Sequence, residues 1–524
     1  LVVYPNGRAM PVHPAGPGIL SSPVVAVFSI GDRLAGNSVL NDRSELGGTW
    51  SYLGFIIASM SSFLFGTALM AQSLKRIRSD LSNFLTLLLV AGSGLAYYAF
   101  KQYSMGHSFE FMTTALVVWA VVELEARNKR LLAPRVVLVV GLAFSLLVRP
   151  ANVNVLLLPA IVGLIVQVFS SNGKADKIEP RRLFLVLRCT AAGLFIALCA
   201  NFVLFGWIFP SFEYQYQSPS LSRVEIHNEG TPIQEVSSSE QNSDQEVAVT
   251  DITPTQGVSE TVSVVARWLP KVAANARDIW IVLFTQEYGV VWFMPIVPIG
   301  LLTLVLALGV LWVRRAHRTA IALLSALVLA YVLVPLGIVI RWQSHASSFG
   351  FRYLFSLVPL GLVGFAQFRV LVNSSKSAVA RLSSFLLVAL SHFSLLGQVF
   401  QSSLPQLSLQ RTENAFGHYA SGNPVFAANL LEALMTPTAW VNVLARGLFG
   451  LLAITALPIE ASIWIGEILG VVVRNRADSF GELVASYKTG IQSSGLVNPA
   501  VFLGISGVSL PIAVIYLSNR WSKP

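Results

Sequence analysis

In an otherwise apolar chain, ionisable side chains recur in a few short stretches: His13; then Lys101, Tyr103, His107 and Glu110, with Gln102 among them; then Arg149 beside Asn152; then Glu287 and Tyr288; and then Arg341, His345 and Arg352 around Trp342. Ionisable groups at or inside the ends of membrane helices are costly, and by default they point to function. These types suit transfer from a phosphate-bearing donor. A leaving phosphate gathers negative charge, which Arg or Lys stabilises in a partly dry site, and Arg can do so through two parallel hydrogen bonds. Arg341 and Arg352 are the expected clamp. A base must then take a proton from an acceptor hydroxyl, a task for a carboxylate or an imidazole. His107 and Glu110 are spaced by nearly one helical turn, so a helix there puts both on one face.

Each of these residues also has a plain structural reading. Arg341 and Lys101 could snorkel to headgroups, Glu110 could simply pair with Lys101, and His107 could hydrogen-bond a neighbouring helix. Trp292 and Trp342 read more readily as interface anchors than as sugar platforms. Asp32, Asp42 and Glu45 belong to a solvated loop. No phosphate-cradling glycine loop, dinucleotide fingerprint, HExxH or CxxC occurs. No cofactor or metal-ligand set is therefore assigned, although a divalent cation is compatible with phosphate chemistry.

The elements that must hold these residues are membrane helices. The chain has 524 residues, 54% of them hydrophobic and 12% charged, with a mean hydropathy of +0.65; soluble domains carry about a quarter charged residues. Long apolar segments run over 51–73, 82–100, 107–123, 135–149, 152–170, 183–209, 286–313, 319–340, 352–372, 381–400, 441–473 and 497–518. They are continuous where barrel strands would alternate, so helices are indicated. The net charge of +10 is an orientation signal and not a nucleic-acid footprint. Basic clusters at Lys75–Arg78, Arg127–Arg135, Lys174–Arg182, Arg314–Arg318, Lys376–Arg381 and Arg474–Arg476 fall in every second loop, which places those loops in the cytoplasm. The loops that carry the ionisable stretches then face outward. Cys189 and Cys199 share one apolar segment and behave as small hydrophobes.

The expected fold is all-α, a polytopic membrane helix bundle with external loops and a juxtamembrane amphipathic helix. Its parts are a first external loop with an interfacial helix (1–50), an N-terminal bundle (51–209), an external acidic and Ser-rich loop (210–281), a second bundle with external motif-bearing ends (282–400), an external loop (401–440) and C-terminal membrane helices (441–524). In the first part, prolines and glycines between Tyr4 and Gly18 argue against a regular helix. The apolar run from Ile19 to Ile30 is too short to span and is expected to lie in the interface. Within the acidic loop, Ser237 to Glu246 is low in complexity and expected to be disordered.

Several fragments resemble the polytopic glycosyltransferases of the GT-C superfamily that use polyprenyl-phosphate sugars, especially the bacterial protein-mannosyltransferase-like members. Val12-His13-Pro14 resembles the family's first external loop, with Ala15 where a second proline is common. Tyr97 to Glu110 resembles the second external turn, and Leu147-Val148-Arg149-Pro150 resembles a Thr-Arg-Pro element. Leu283-Phe284 followed by Gly289-Val290-Val291-Trp292-Phe293-Met294-Pro295, and Phe349-Gly350-Phe351-Arg352-Tyr353 with Pro359, resemble two further motifs in the family's order. The resemblance covers about residues 4 to 360; the remainder agrees only in hydropathy.

The resemblance implies a GT-C-like bundle that transfers sugar from a polyprenyl-phosphate-linked donor to a glycan, lipid or protein acceptor. Membrane lipids are the other partners, and nucleic acid is not one. Transfer would be inverting and base-assisted, at the external face of a bacterial inner membrane. It would use His13 to order the first loop, Arg341 and Arg352 at the donor phosphate, and Lys101, Tyr103, Arg149, Glu287, Tyr288 and His345 as further substrate contacts. His107 and Glu110 are the catalytic candidates within the chain. The family's acidic catalytic residue, and a first membrane helix, are expected upstream of Leu1. Two other readings remain: an O-antigen polymerase or ligase, which needs essential basic residues in its large loop, and a lipid or solute transporter, which needs a central polar cavity and broken helices.

Overall fold

The computed structural model describes residues 2–3, 9–10, 15–34, 50–77, 81–100, 106–126, 132–150, 152–170, 180–205, 279–280, 282–284, 289–313, 318–342, 352–373, 378–403, 410–413, 419–422, 435 and 437. Apart from two short antiparallel ribbons, Val2–Val3 with Ala9–Met10 and Gln410–Glu413 with Tyr419–Gly422, the described chain is helical. Five helices are long and apolar enough to cross a bilayer: Gly54–Arg76, Pro180–Leu204, Ile296–Val313, Arg318–Val339 and Tyr353–Leu371. The protein is an integral, multi-pass membrane protein. The expected segments at 441–473 and 497–518 lie outside the described residues.

Helix α1 (Gly16–Leu34) covers the run expected to lie in the interface. It starts earlier than the prolines and glycines suggest, because Pro17 occupies the first turn, where an amide has no helical partner to lose. Inside the helix, Pro23 cannot donate to the Ile19 carbonyl, and the Ser22 hydroxyl donates to that oxygen instead at 2.7 Å. The helix therefore runs through its proline. Ile19, Val27 and Ile30 are left exposed, as a helix lying against lipid requires.

Helices α2 (Trp50–Arg76) and α5 (His107–Ala126) lie side by side and parallel: Ser59 Oγ meets Ser108 Oγ at 2.6 Å near one end, and Arg76 Nε meets Glu123 Oε1 at 3.1 Å near the other. Between them the chain returns through α3 (Asn83–Val90), a π-helical turn (Ala91–Leu95) and α4 (Ala96–Phe100). Ser82 caps α3, accepting the Leu85 amide at 3.1 Å. Helix α6 (Leu132–Val148) runs antiparallel to α5, and α7 (Leu158–Ser170) and α8 (Pro180–Phe205) complete the first group.

The second group comprises the short α9 (Val290–Phe293), α10 (Ile296–Val313), α11 (Arg318–Trp342), α12 (Val358–Asn373) and α13 (Ala378–Ser403). Helices α10 and α12 approach backbone to backbone: a Cβ at Gly300 would collide with the Gly361 carbonyl, and one at Gly364 with the Gly300 carbonyl oxygen. The core between the groups is lined by fully buried rings, including Phe111, Phe293, Phe355 and Phe365.

Two helices begin alike. A 3-10 turn over Asn152–Leu157 leads into α7, and one over Arg352–Leu357 leads into α12. Each α segment has proline at its second position, Pro159 or Pro359. Proline offers no amide to the carbonyl four residues back, so the preceding turn tightens. These turns lie at the same end of the bundle as His107 and Glu110. Helix directions put Lys75, Arg76, Arg181, Arg182, Arg318 and Arg381 toward the opposite end, where Arg76 bonds Glu123 and Arg182 bonds Glu125.

Candidate functional site

At the Glu110 end, four elements converge on one buried carboxylate. Gly106, in the left-handed region at φ 71°, lets the chain turn sharply into α5, and its carbonyl accepts the Glu110 amide at 3.1 Å. The first turn of α5 then carries His107 and Glu110 on one face. A carboxylate in that turn also complements the helix dipole. Arg149, immediately after α6, reaches across to the same carboxylate. Tyr353, in the 3-10 turn before α12, lies under the arginine.

Glu110 is 1% exposed and His107 5%. Glu110 Oε2 lies 3.0 Å from His107 Nδ1 and 3.0 Å from Arg149 Nη1. The Arg149 guanidinium sits 4.0 Å above the Tyr353 ring centroid, a stacking that holds its plane. The short contact to a carboxylate oxygen assigns the proton of the neutral imidazole to Nδ1, since an unprotonated nitrogen there would face a lone pair. Arg149 Nη1 passes 3.4 Å from the same nitrogen. Nε2 is then the basic nitrogen of His107. Tyr98 meets the imidazole edge-on at a centroid distance of 4.6 Å, and Phe355 lies 5.1 Å away on a tilted plane. The result is an imidazole oriented by a carboxylate within an aromatic enclosure, the geometry that general-base chemistry requires.

Helix α1 closes this end from the side. A Cβ at Gly16 would collide with the Val148 backbone one residue before Arg149, and one at Gly106 would lie 2.8 Å from Pro17 Cγ. Leu20 and Val24 of α1 pack with Phe55, Ala58, Phe109, Met112 and Val148. Helix α1 therefore docks directly on the elements that carry Glu110 and Arg149.

Beneath the site, the Tyr331 hydroxyl of α11 donates to the Ser356 carbonyl at 2.6 Å, and Asn154 Nδ2 donates to the Tyr331 carbonyl at 3.2 Å. These bonds tie both proline-tightened turns to one helix.

Of the residues singled out from the sequence, His107, Glu110 and Arg149 come together. Arg341 lies in the last turn of α11 and Arg352 opens the second 3-10 turn; their side chains lie outside the described residues, as do His13, Lys101, Tyr103, Glu287, Tyr288 and His345 altogether. The pairing considered for Glu110 with Lys101 likewise falls outside the described residues, whereas the partners Arg149 and His107 are explicit.

Sequence reasoning did not single out Tyr98, Tyr353 and Phe355 as parts of the site, although Tyr98 and Tyr353 lie within stretches that resemble the GT-C motifs. It also passed over Glu123 and Glu125, whose signal was the presence of two carboxylates beside an apolar run. Among the described residues, no group of three or more His, Cys, Asp or Glu side chains is gathered as a metal-ligand set.

Compared with protein families, with curated proteins and with solved structures, the chain matches none.

Proposed function

We propose that this protein is an integral-membrane glycosyltransferase that moves a sugar from a polyprenyl-phosphate donor to a hydroxyl acceptor at the external face of the membrane. The observation that carries this reading is the buried His107–Glu110–Arg149 centre at the end of the bundle away from the basic helix ends. The positive-inside rule supports an external site, and the local likeness to GT-C motifs supports the donor class.

In the proposed reaction His107 Nε2 takes the proton of the acceptor hydroxyl while that oxygen attacks the anomeric carbon. The bond from that carbon to the phosphate oxygen breaks, and the phosphate leaves with the electron pair, inverting the centre. Glu110 stabilises the imidazolium so formed. Arg149, held by Glu110 and Tyr353, keeps the dyad in place. Arg341 and Arg352 are the proposed phosphate clamp.

The test is incorporation of radiolabelled sugar from polyprenyl-phosphate donors by the full chain in liposomes, with glycan, lipid and peptide acceptors. Transfer that is lost in His107→Gln supports the proposal. Absence of transfer from every donor by folded protein overturns it.

A further inference from the structure

The π-helical turn at Ala91–Leu95 interrupts the return from α2 to α5 a few residues before Tyr98, the ring that meets His107 edge-on. Gly94 adopts φ 86°, in the left-handed region, so the helical ladder is broken there. Gly92 lies against α13, where a Cβ would come 2.6 Å from the Ser391 carbonyl oxygen. One side chain bridges the break. Gln398, 4% exposed on α13, donates through Nε2 to the Ala91 carbonyl at 2.9 Å and accepts the Tyr97 amide on Oε1 at 2.9 Å. A single primary amide thus supplies a donor and an acceptor to backbone groups on either side of the turn. Buried backbone groups left without such partners are costly, so the amide stabilises the turn where it sits. The contact spans 301 and 307 residues of chain.

The turn also sets the position of the two tyrosines after it. Tyr97 is buried, and its ring meets Tyr98 edge-on at 5.6 Å; Tyr98 in turn meets His107 at 4.6 Å and Phe355 at 5.2 Å. A shift of the Tyr97 amide therefore moves the ring that borders the imidazole. Single π-turns inside α-helices frequently lie at functional sites.

We propose that Gln398 is a positioning residue for His107: it latches the π-turn to α13 and so holds Tyr98 against the imidazole that Glu110 orients. The catalytic role of that imidazole rests on the function proposed above; the latch itself does not. Through it α13, far along the chain from the site helices, is coupled to the His107 centre.

The experiment compares Gln398→Met, which removes donor and acceptor, with Gln398→Glu, which as a carboxylate keeps the acceptor for Tyr97 and loses the donor to Ala91. Two readouts are taken on the full chain in nanodiscs: the imidazole 15N signals of histidine-labelled protein, with His107 assigned from His107→Gln, and the steady-state constants for sugar transfer. Wild-type His107 should show the Nδ1-protonated tautomer. Gln398→Met should give a mixture of tautomers and a fall in kcat of about tenfold to a hundredfold with KM for the donor little changed, and Gln398→Glu a smaller change of the same kind. Should Gln398→Met fail to fold, the Gln398→Glu signals decide. A folded variant with the wild-type tautomer and kcat overturns the proposal, even if its thermal stability falls. If the wild-type protein transfers no sugar but its His107 signals still respond to Gln398, the positioning role stands and the transferase reading fails.

Discussion

Helix α5 buries glutamates near both its ends, and the two ends hold them differently. Near the C-terminal end, Glu123 accepts from Arg76, which is 44% exposed, and Glu125 accepts from Arg182 at 3.3 Å and from Gln167 at 3.0 Å. Arg182 also donates to the Glu125 backbone carbonyl at 2.9 Å, closing the end of the helix. The partners described there, Arg76, Arg182 and Gln167, are permanent cations and an amide, and each comes from another helix packed on α5. Near the N-terminal end, Glu110 takes Arg149 and also an imidazole, inside a ring of aromatic side chains. Among the described contacts of the two clusters, only this one includes an imidazole, the side chain whose ordinary proton exchange lies nearest neutral pH. The same residue type on one helix thus serves as an anchor where the partners described are fixed charges, and as an orienting group where one is an imidazole. Burial alone does not distinguish the two roles, since all three carboxylates are nearly inaccessible.

This contrast predicts opposite responses to matched substitutions. Glu110→Gln should lower kcat for sugar transfer by about two to four orders of magnitude, the range of general acid–base contributions, with the folded helix content kept. Circular dichroism beside initial rates checks both, and a rate within a few-fold of wild type would put the two ends of α5 in one class. Gly16→Ala forces a Cβ into the Val148 backbone. It should separate α1 from Arg149 and reduce transfer by about tenfold, with a stability loss of about 1–3 kcal/mol typical of overpacking; an unchanged rate in the same assay would show that the site does not depend on α1 docking.

The smallest effect on activity belongs to the other end. Glu125→Gln leaves Arg182 facing a neutral amide and should lower stability by about 1–2 kcal/mol, with kcat per folded molecule unchanged. A thermal-shift measurement on detergent-purified protein gives the first quantity, and a large loss of kcat would transfer the functional role to that end.

Much of the architecture is legible in the sequence. The described helices fall on the expected apolar segments with ends shifted by a few residues, because length and hydropathy are local quantities that a bilayer reads directly. The stretch before α2 is less legible. Its prolines and glycines read as helix-breaking, yet α1 begins at Gly16 because proline in a first turn costs nothing, and it continues past Pro23 because Ser22 takes over the stranded carbonyl. The pairing of His107 with Glu110 follows from helical spacing.

That Arg149 joins them is not a matter of spacing, since 39 residues separate it from Glu110 and only the antiparallel packing of α6 on α5 brings it there. The role of Tyr353 as the surface under Arg149, and of Gln398 as a latch across 307 residues, is likewise invisible to any local pattern.

The amino-acid sequence by itself determined that this chain is a helical membrane protein, where its helices fall, and which of their ends carry ionisable residues. These follow from hydropathy, chain length and helical period. Only the tertiary structure decided which buried carboxylate meets an imidazole and which meets fixed charges. The arginine partners come from other helices or their ends, and the packing of those helices sets whether a carboxylate ties the bundle together or also holds an imidazole.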